Sequence, residues 1–253
     1  MRAQEGHSPQ TDQAEIMHIL VEYWSSLFQY RPVTSSAMAR MLSCRSWPLL
    51  TRDITLEELA QALKKPKNGS SPGPDGIPYE FYRAYPEILP KVVSLLNKCY
   101  RGAIIPPSWR NAILHLLPKE DKDLTLVTSY RPIALLCTDY KLLASILAER
   151  LQKEFKHKGY FPSHQSGFIR GRSIYKPIIR VSSWAATGKP VCLLDFEKAY
   201  DRVQHQWLYD CLRAAGFPGM FINFLSALLG EATMQIVANG VLSPKFPVTS
   251  GVR

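Results

Sequence analysis

The sequence predicts an α+β fold, with helices packed on a small sheet. Two patterns carry that prediction. Over long stretches apolar side chains return every three or four residues, most clearly at Leu136, Tyr140, Leu143, Leu147, Leu151 and Phe155, the spacing of one helix face. Elsewhere the apolar residues form short runs or alternate, as in AILHLL (112–117), VCLLD (191–195) and TMQIVANGVL (233–242), which is strand patterning. The chain has 253 residues, 46% hydrophobic and 11% aromatic. It is long enough to bury a sizeable core and is not of disordered composition.

The elements follow in order. MRAQEGHSPQTDQ (1–13) has no apolar signal core and reads as a short disordered leader. Ile16, Leu20, Tyr23 and Leu27 mark a helix within 14–29. Thr55 and Glu58 form a capping box ahead of Leu59 and Leu63. KNGSSPGPDGIP (67–78) is dense in Gly and Pro and must be irregular. Helical spacing resumes at 78–85 and at 87–100, through Leu89, Val92, Val93, Leu96 and Tyr100. AILHLL is a strand, the charged PKEDKD (118–123) a hairpin-like turn, and SYRPIALL the lead into the long helix. VCLLD reads as a buried strand. Helices are expected at 206–215 and 219–229, and Asn239–Gly240 is a favoured hairpin turn.

The formal charge is +10, and a polyanion such as nucleic acid is the first partner such a balance suggests. The excess is concentrated. Residues 150–180 hold Arg150, Lys153, Lys156, Lys158, Arg170, Arg172, Lys176 and Arg180 against Glu154, eight cations to one carboxylate, or +7. Tyr160, Phe161, Phe168 and Tyr175 are interleaved. Cations for phosphates and rings for bases or sugars are what a nucleic-acid groove uses. The alternative is a solvated helix end with core aromatics. The five cysteines contain no C-x-x-C pair, so zinc is not expected, and free thiols suit a reducing cytosol or nucleus. No apolar run approaches the ~18 residues that span a bilayer, and no membrane partner is expected.

Asp195 ends the VCLLD run, and Tyr200 and Asp201 follow. An acid there can cap the next helix or hold a hard cation, for which Mg²⁺ prefers carboxylates and substrate phosphates. Lys119 and Arg131 lie twelve residues apart across the turn. On neighbouring strands they could grip a triphosphate, one as a point charge and one as a fork.

Taken in order, SSPGPDGIPYEFY (70–82), LLPKEDKD with SYRPIALLCTDYKLLASILAERLQ (116–152), HQSGFIRGRSI (164–174), LLDFEKAYDRV (193–203) and SGVR (250–253) resemble a reverse transcriptase domain of the non-LTR, LINE-like kind. The resemblance covers roughly residues 50–253. It implies a right-hand polymerase: an N-terminal extension over 1–50, fingers with early palm over 51–190, and a partial palm of antiparallel sheet and helices over 191–253. It implies that Asp195 and the Phe196 carbonyl bind Mg²⁺ in a two-metal site. Lys119, Arg131, Phe196, Ala199 and Tyr200 would contact the incoming dNTP, Tyr200 as a gate against a ribose 2′-OH. Gly167, Arg170 and Arg172 would line the path of the RNA template and DNA primer. The family's Tyr/Phe-x-Asp-Asp turn is not in this sequence, and it holds no adjacent Asp-Asp pair. The expectation is therefore a partial site, no DNA synthesis by this chain alone, and poor solubility from an unpaired strand. A non-catalytic RNA-binding remnant or a maturase-like RNA chaperone is the alternative.

Overall fold

The computed structural model describes residues 1–2, 8–31 and 46–252. Cys44 and the end of the N-terminal stretch before Ser46 lie outside them. The helices are α1 (Gln13–Leu27), α2 (Pro48–Thr51), α3 (Leu56–Lys64), α4 (Tyr79–Ala84), α5 (Leu89–Gly102), α6 (Pro107–Arg110), α7 (Thr138–His157), α8 (Tyr175–Ala186), α9 (His205–Ala214) and α10 (Gly219–Gly230). The strands are β1 (Asn111–Pro118), β2 (Tyr130–Leu135), β3 (Thr233–Ala238), β4 (Val241–Leu242) and β5 (Phe246–Pro247).

The local signals act where they occur. Thr55 Oγ1 accepts from the Glu58 N–H and Glu58 accepts from the Thr55 N–H, closing the capping box of α3. Asp12 caps α1 through the N–H groups of Ala14 and Glu15. Asn239 and Gly240, at φ 51° and 79°, make the tight turn between β3 and β4, which pair at Ala238 and Val241.

The sheet is mixed. Its order is β2-β1-β3-β4, with β5 also on β3. β1 and β2 form an antiparallel hairpin, but β1 and β3 run parallel. Within 191–253 β3 pairs antiparallel with β4 and β5; the parallel pairing with β1 makes the whole sheet mixed. More than a hundred residues and four helices separate β1 from β3, the kind of long crossover a parallel pair requires. Ala112, Leu114, Met234, Ile236 and Phe246 bury one face of the sheet in a core shared with Leu20, Trp24, Leu59, Leu96, Leu143 and Phe224 of the helices. His115, Leu117, Arg131 and Ile133 are exposed on the other.

One expectation fails. VCLLD is not a strand. No described strand pairs with residues 191–195, and Leu193, Leu194 and Phe196 are 81%, 88% and 83% exposed. Apolar patterning states which side chains gain by burial. A strand also needs a neighbour for its N–H and C=O groups, and here none is supplied. The expected leader over 1–13 falls in part, at 3–7, outside the described residues. Arg2 bridges to Leu126 in parallel fashion and ion-pairs with Asp123, so residues 1–2 are anchored on the β1–β2 connection.

Candidate active site

The β1–β2 hairpin sets the positions of the two predicted triphosphate cations. Leu117 pairs with Arg131, and one step further the Lys119 N–H donates to the Ser129 carbonyl at 2.8 Å. Strand alternation therefore puts Lys119, Leu117 and Arg131 on one face. Lys119 Nζ rests on the Thr128 carbonyl at 2.8 Å. Arg131 is exposed, with no ion-pair partner among the described residues.

Residues 197–203 form a turn against the other face of the same hairpin. Ala199, Tyr200 and Asp201 line a cleft with Pro132 and Ala134 of β2, Leu114, Met234, Phe28, Lys198 and Val252. Tyr200 is thus beside β2, but Arg131 projects from the opposite face. Asp195 and Phe196 are exposed, one turn ahead of that cleft.

The turn is clamped from two sides. The SGVR segment closes against it: Gly251 N–H donates to the Val203 carbonyl at 2.7 Å, Val252 N–H to the Tyr200 carbonyl at 3.1 Å, and Ser250 Oγ to the Asp201 carbonyl at 3.2 Å. Gly251 has φ +84°, and a Cβ there would meet the Asp201 carbonyl oxygen at 2.7 Å, so a side chain is excluded. On the other side Lys198 reaches α1. Its ammonium lies 4.4 Å from the Tyr23 ring centre and 4.9 Å from that of Trp24, and donates to the Tyr23 hydroxyl. Burial lowers the Lys198 pKa against the raising effect of Asp201 and Glu197. Burial likewise raises the Asp201 carboxyl, against the pull of Lys198 and Arg202. Lys198 stands inside a recognisable motif, but no sequence signal marks Tyr23 and Trp24 as its partners.

The donor set at Asp195 suits a hard cation: one exposed carboxylate and the neighbouring Phe196 carbonyl, both oxygen. It is partial. Glu197 is engaged by Arg202 at 3.1 Å, and Asp201 is half-buried, with burial holding its carboxyl up. Among the described residues one cluster of three potential ligands exists elsewhere, Asp75, Cys137 and Asp139. Burial pushes the Cys137 thiol up to about 12, aided by Asp75, and burial also raises Asp139. A protonated thiol is a poor ligand for Mg²⁺. That cluster instead seats the GPDG loop on the start of α7, where Thr138 Oγ1 donates to the Ile77 carbonyl at 2.6 Å and Lys141 Nζ to the Ser71 carbonyl at 2.8 Å.

The basic stretch divides. Arg150 is 3% exposed; its fork takes both Glu58 oxygens at 2.7 Å and the Arg52 and Asp53 carbonyls at 2.8 and 2.7 Å. Lys158 pairs with Glu154 and lies over the Trp47 ring. Arg172 donates to the carbonyls of Phe161, Pro162 and Gln165, folding its own loop. Tyr160 and Phe161 pack on Phe155. These groups are structural, a correction to the reading of the whole stretch as a groove. The exposed remainder fits that reading better. Phe168 stands edge-on to Tyr200 with ring centres 6.1 Å apart, so HQSGFIRGRSI does reach Tyr200. Its backbone is tied to α7, the Gln152 side chain donating to the Phe168 carbonyl at 2.5 Å. Gly167 accepts from Gln165 at 3.1 Å. Arg170 ion-pairs with Glu149 at 2.6 Å. Lys176 and Arg180 on α8 are exposed, as are Tyr175 and Trp184.

Residues 117–253 match the family described as reverse transcriptase (RNA-dependent DNA polymerase). The Xenopus laevis transposon TX1 uncharacterized 149 kDa protein is 31% identical over 262 aligned residues, 98% of this chain and 20% of that protein. The probable RNA-directed DNA polymerase from transposon BS of Drosophila melanogaster is 28% identical over 77% of this chain and 22% of its own length. The RNA-directed DNA polymerase from mobile element jockey of the same species is 27% identical over 79% and 22%. The chain spans about a fifth of the length of these relatives. With the match covering more than half of its residues, the chain belongs to the reverse transcriptase family, of the non-LTR retrotransposon kind.

Proposed function

We propose that this chain forms the nucleotide-binding half of an RNA-directed DNA polymerase site, which adds dNTPs to a DNA primer on an RNA template. In a right-hand arrangement the β1–β2 hairpin belongs to the fingers, residues 51–190 to fingers and early palm, and 191–253 to the palm. One observation carries the reading. The turn bearing Ala199 and Tyr200 packs on β2, the strand that bears Arg131.

Arg131 and Lys119 would grip the triphosphate across the β2 edge. Tyr200, fixed between Phe168 and β2, would stand where a 2′-OH has no room; that hydroxyl separates RNA from DNA building blocks. Asp195 and the Phe196 carbonyl would hold Mg²⁺, which when bound neutralises phosphate charge as the primer 3′-OH attacks the α-phosphorus and pyrophosphate leaves. Gly167 and Arg170 border the template and primer path, with Arg172 shaping it.

Calorimetry of Mg²⁺-dATP binding tests the reading. Asp195→Asn removes the metal-dependent part of the binding, and Arg131→Ala weakens it roughly 10-fold, the scale of one charge-assisted contact. Tyr200→Ala lets ATP compete with dATP. Wild-type binding by the Asp195→Asn chain would refute the assignment.

A further inference from the structure

Lys198 lies between the proposed metal ligand Asp195 and the proposed gate Tyr200, yet its side chain points to neither. It enters a notch on α1 made by Tyr23 and Trp24, whose rings stand edge to face at 5.1 Å and 85°. The ammonium meets both rings and the Tyr23 hydroxyl. Trp24 is fully buried. The residue does this from a left-handed backbone, φ 52°, a conformation a lysine adopts only when its surroundings impose it. The side chain thus ties this left-handed position of the turn to α1.

The rest of the turn hangs on the same helix. The Phe28 carbonyl, at the end of α1, accepts from the N–H groups of Thr249 and Ser250 at 2.8 and 2.9 Å and from Thr249 Oγ1 at 2.9 Å. Ser250 Oγ also contacts the Leu27 carbonyl at 3.3 Å. The 250–252 segment then holds Tyr200, Asp201 and Val203. Two separate lines of contact, one through Lys198 and one through 249–252, run from α1 to the 195–203 turn.

We infer that Lys198 is a positioning residue for nucleotide binding, clamped in the Tyr23–Trp24 notch so that α1 sets the geometry of the Asp195–Tyr200 turn. The inference rests on the proposed nucleotide site. A cation over two aromatic rings is favourable, and a guanidinium can replace an ammonium there. Neither Tyr23 nor Trp24 lines the cleft beside Tyr200; they would act through Lys198.

The test measures Mn²⁺-dATP affinity and melting temperature in the full chain, for wild type, Lys198→Met, Lys198→Arg, Tyr23→Phe and Asp195→Asn. Lys198→Met is expected to bind roughly 10-fold more weakly, about 1.4 kcal/mol, with melting little changed. Lys198→Arg is expected to restore affinity, and Tyr23→Phe, keeping its ring, to lose only part of it. Wild-type affinity in Lys198→Met, with Asp195→Asn defective, overturns the clamp and leaves the nucleotide site standing. Wild-type affinity in both overturns the site and the clamp with it. Parallel loss of affinity and melting temperature in Lys198→Met, not restored by Lys198→Arg, assigns Lys198 to stability alone and also overturns the inference.

Discussion

Replacing Arg150 with methionine separates a structural cation from a nucleic-acid contact. The side chain stays long and apolar, but the fork is gone. Glu58 loses two hydrogen bonds of 2.7 Å, and the Arg52 and Asp53 carbonyls lose one each. Breaking a buried ion pair by removing one partner costs roughly 3–5 kcal/mol. The Glu58 side chain keeps 30% exposure, so water can take up part of the deficit and the low end, about 3 kcal/mol, applies. For a chain of this size that lowers the melting temperature by roughly 6–12 °C.

The loss depends on pH. Burial pushes the Glu58 pKa up, but the hydrogen bonds from Arg150 and the Thr55 N–H outweigh it and hold the carboxyl below its ordinary 4.5. A depressed carboxyl stabilises the fold above its unfolded pKa, and that contribution is lost as pH falls through the folded value. The gap between variant and wild type therefore narrows in acid. Thermal melts across pH read the first effect; RNA affinity against salt reads the second. Each phosphate contact contributes about 0.9 to the slope of log affinity on log salt for a duplex and about 0.7 for a single strand. The slope for Arg150→Met should equal that of the wild type, whereas Arg180→Met, exposed on α8, should flatten it by roughly one contact. Melting within about 1 °C of wild type, or a flattened slope in Arg150→Met, would refute the reasoning.

Two further outcomes are expected. A methyl group at Gly73 would stand 2.3 Å from the Cys137 nitrogen and the Leu136 carbonyl carbon, backbone atoms that cannot swing aside. Gly73→Ala should therefore cost about 2–3 kcal/mol, the upper range of overpacking, and expose 70–77 to proteolysis; an unchanged urea midpoint would contradict that contact. Asp123 accepts from the Thr125 hydroxyl and N–H and from Arg2, and its pKa is lowered to about 2. Its contribution to stability is present above the ordinary 3.8 and is lost as pH falls toward 2. Arg2→Ala should move the titration, followed by NMR, upward toward the ordinary value; a titration that stays near 2 would show that Thr125 alone sets it.

Much of the local structure was legible because its causes are local. The Thr55–Glu58 box, the Asn239–Gly240 turn and the apolar stripe of α7 depend on residues a few positions apart, so spacing alone reveals them. The pairing of β1 with β2 was legible for the same reason, the turn between them being short. The candidate site was legible only through its ordered motifs, which name residues but not their orientation.

Sequence by itself determined the α+β class, most helices, the hairpin carrying Lys119 and Arg131, and membership of the polymerase family. Tertiary structure alone decided which cations are free. Arg150, Lys158 and Arg172 read the same as Lys176 and Arg180 in sequence, yet the first three meet carboxylates or carbonyls that folding brings from as far as 98 positions away. It also decided that 191–195 is bare, because strand formation needs a partner as well as a pattern. The grip of Tyr23 and Trp24 on Lys198, 175 residues along the chain, came from packing alone.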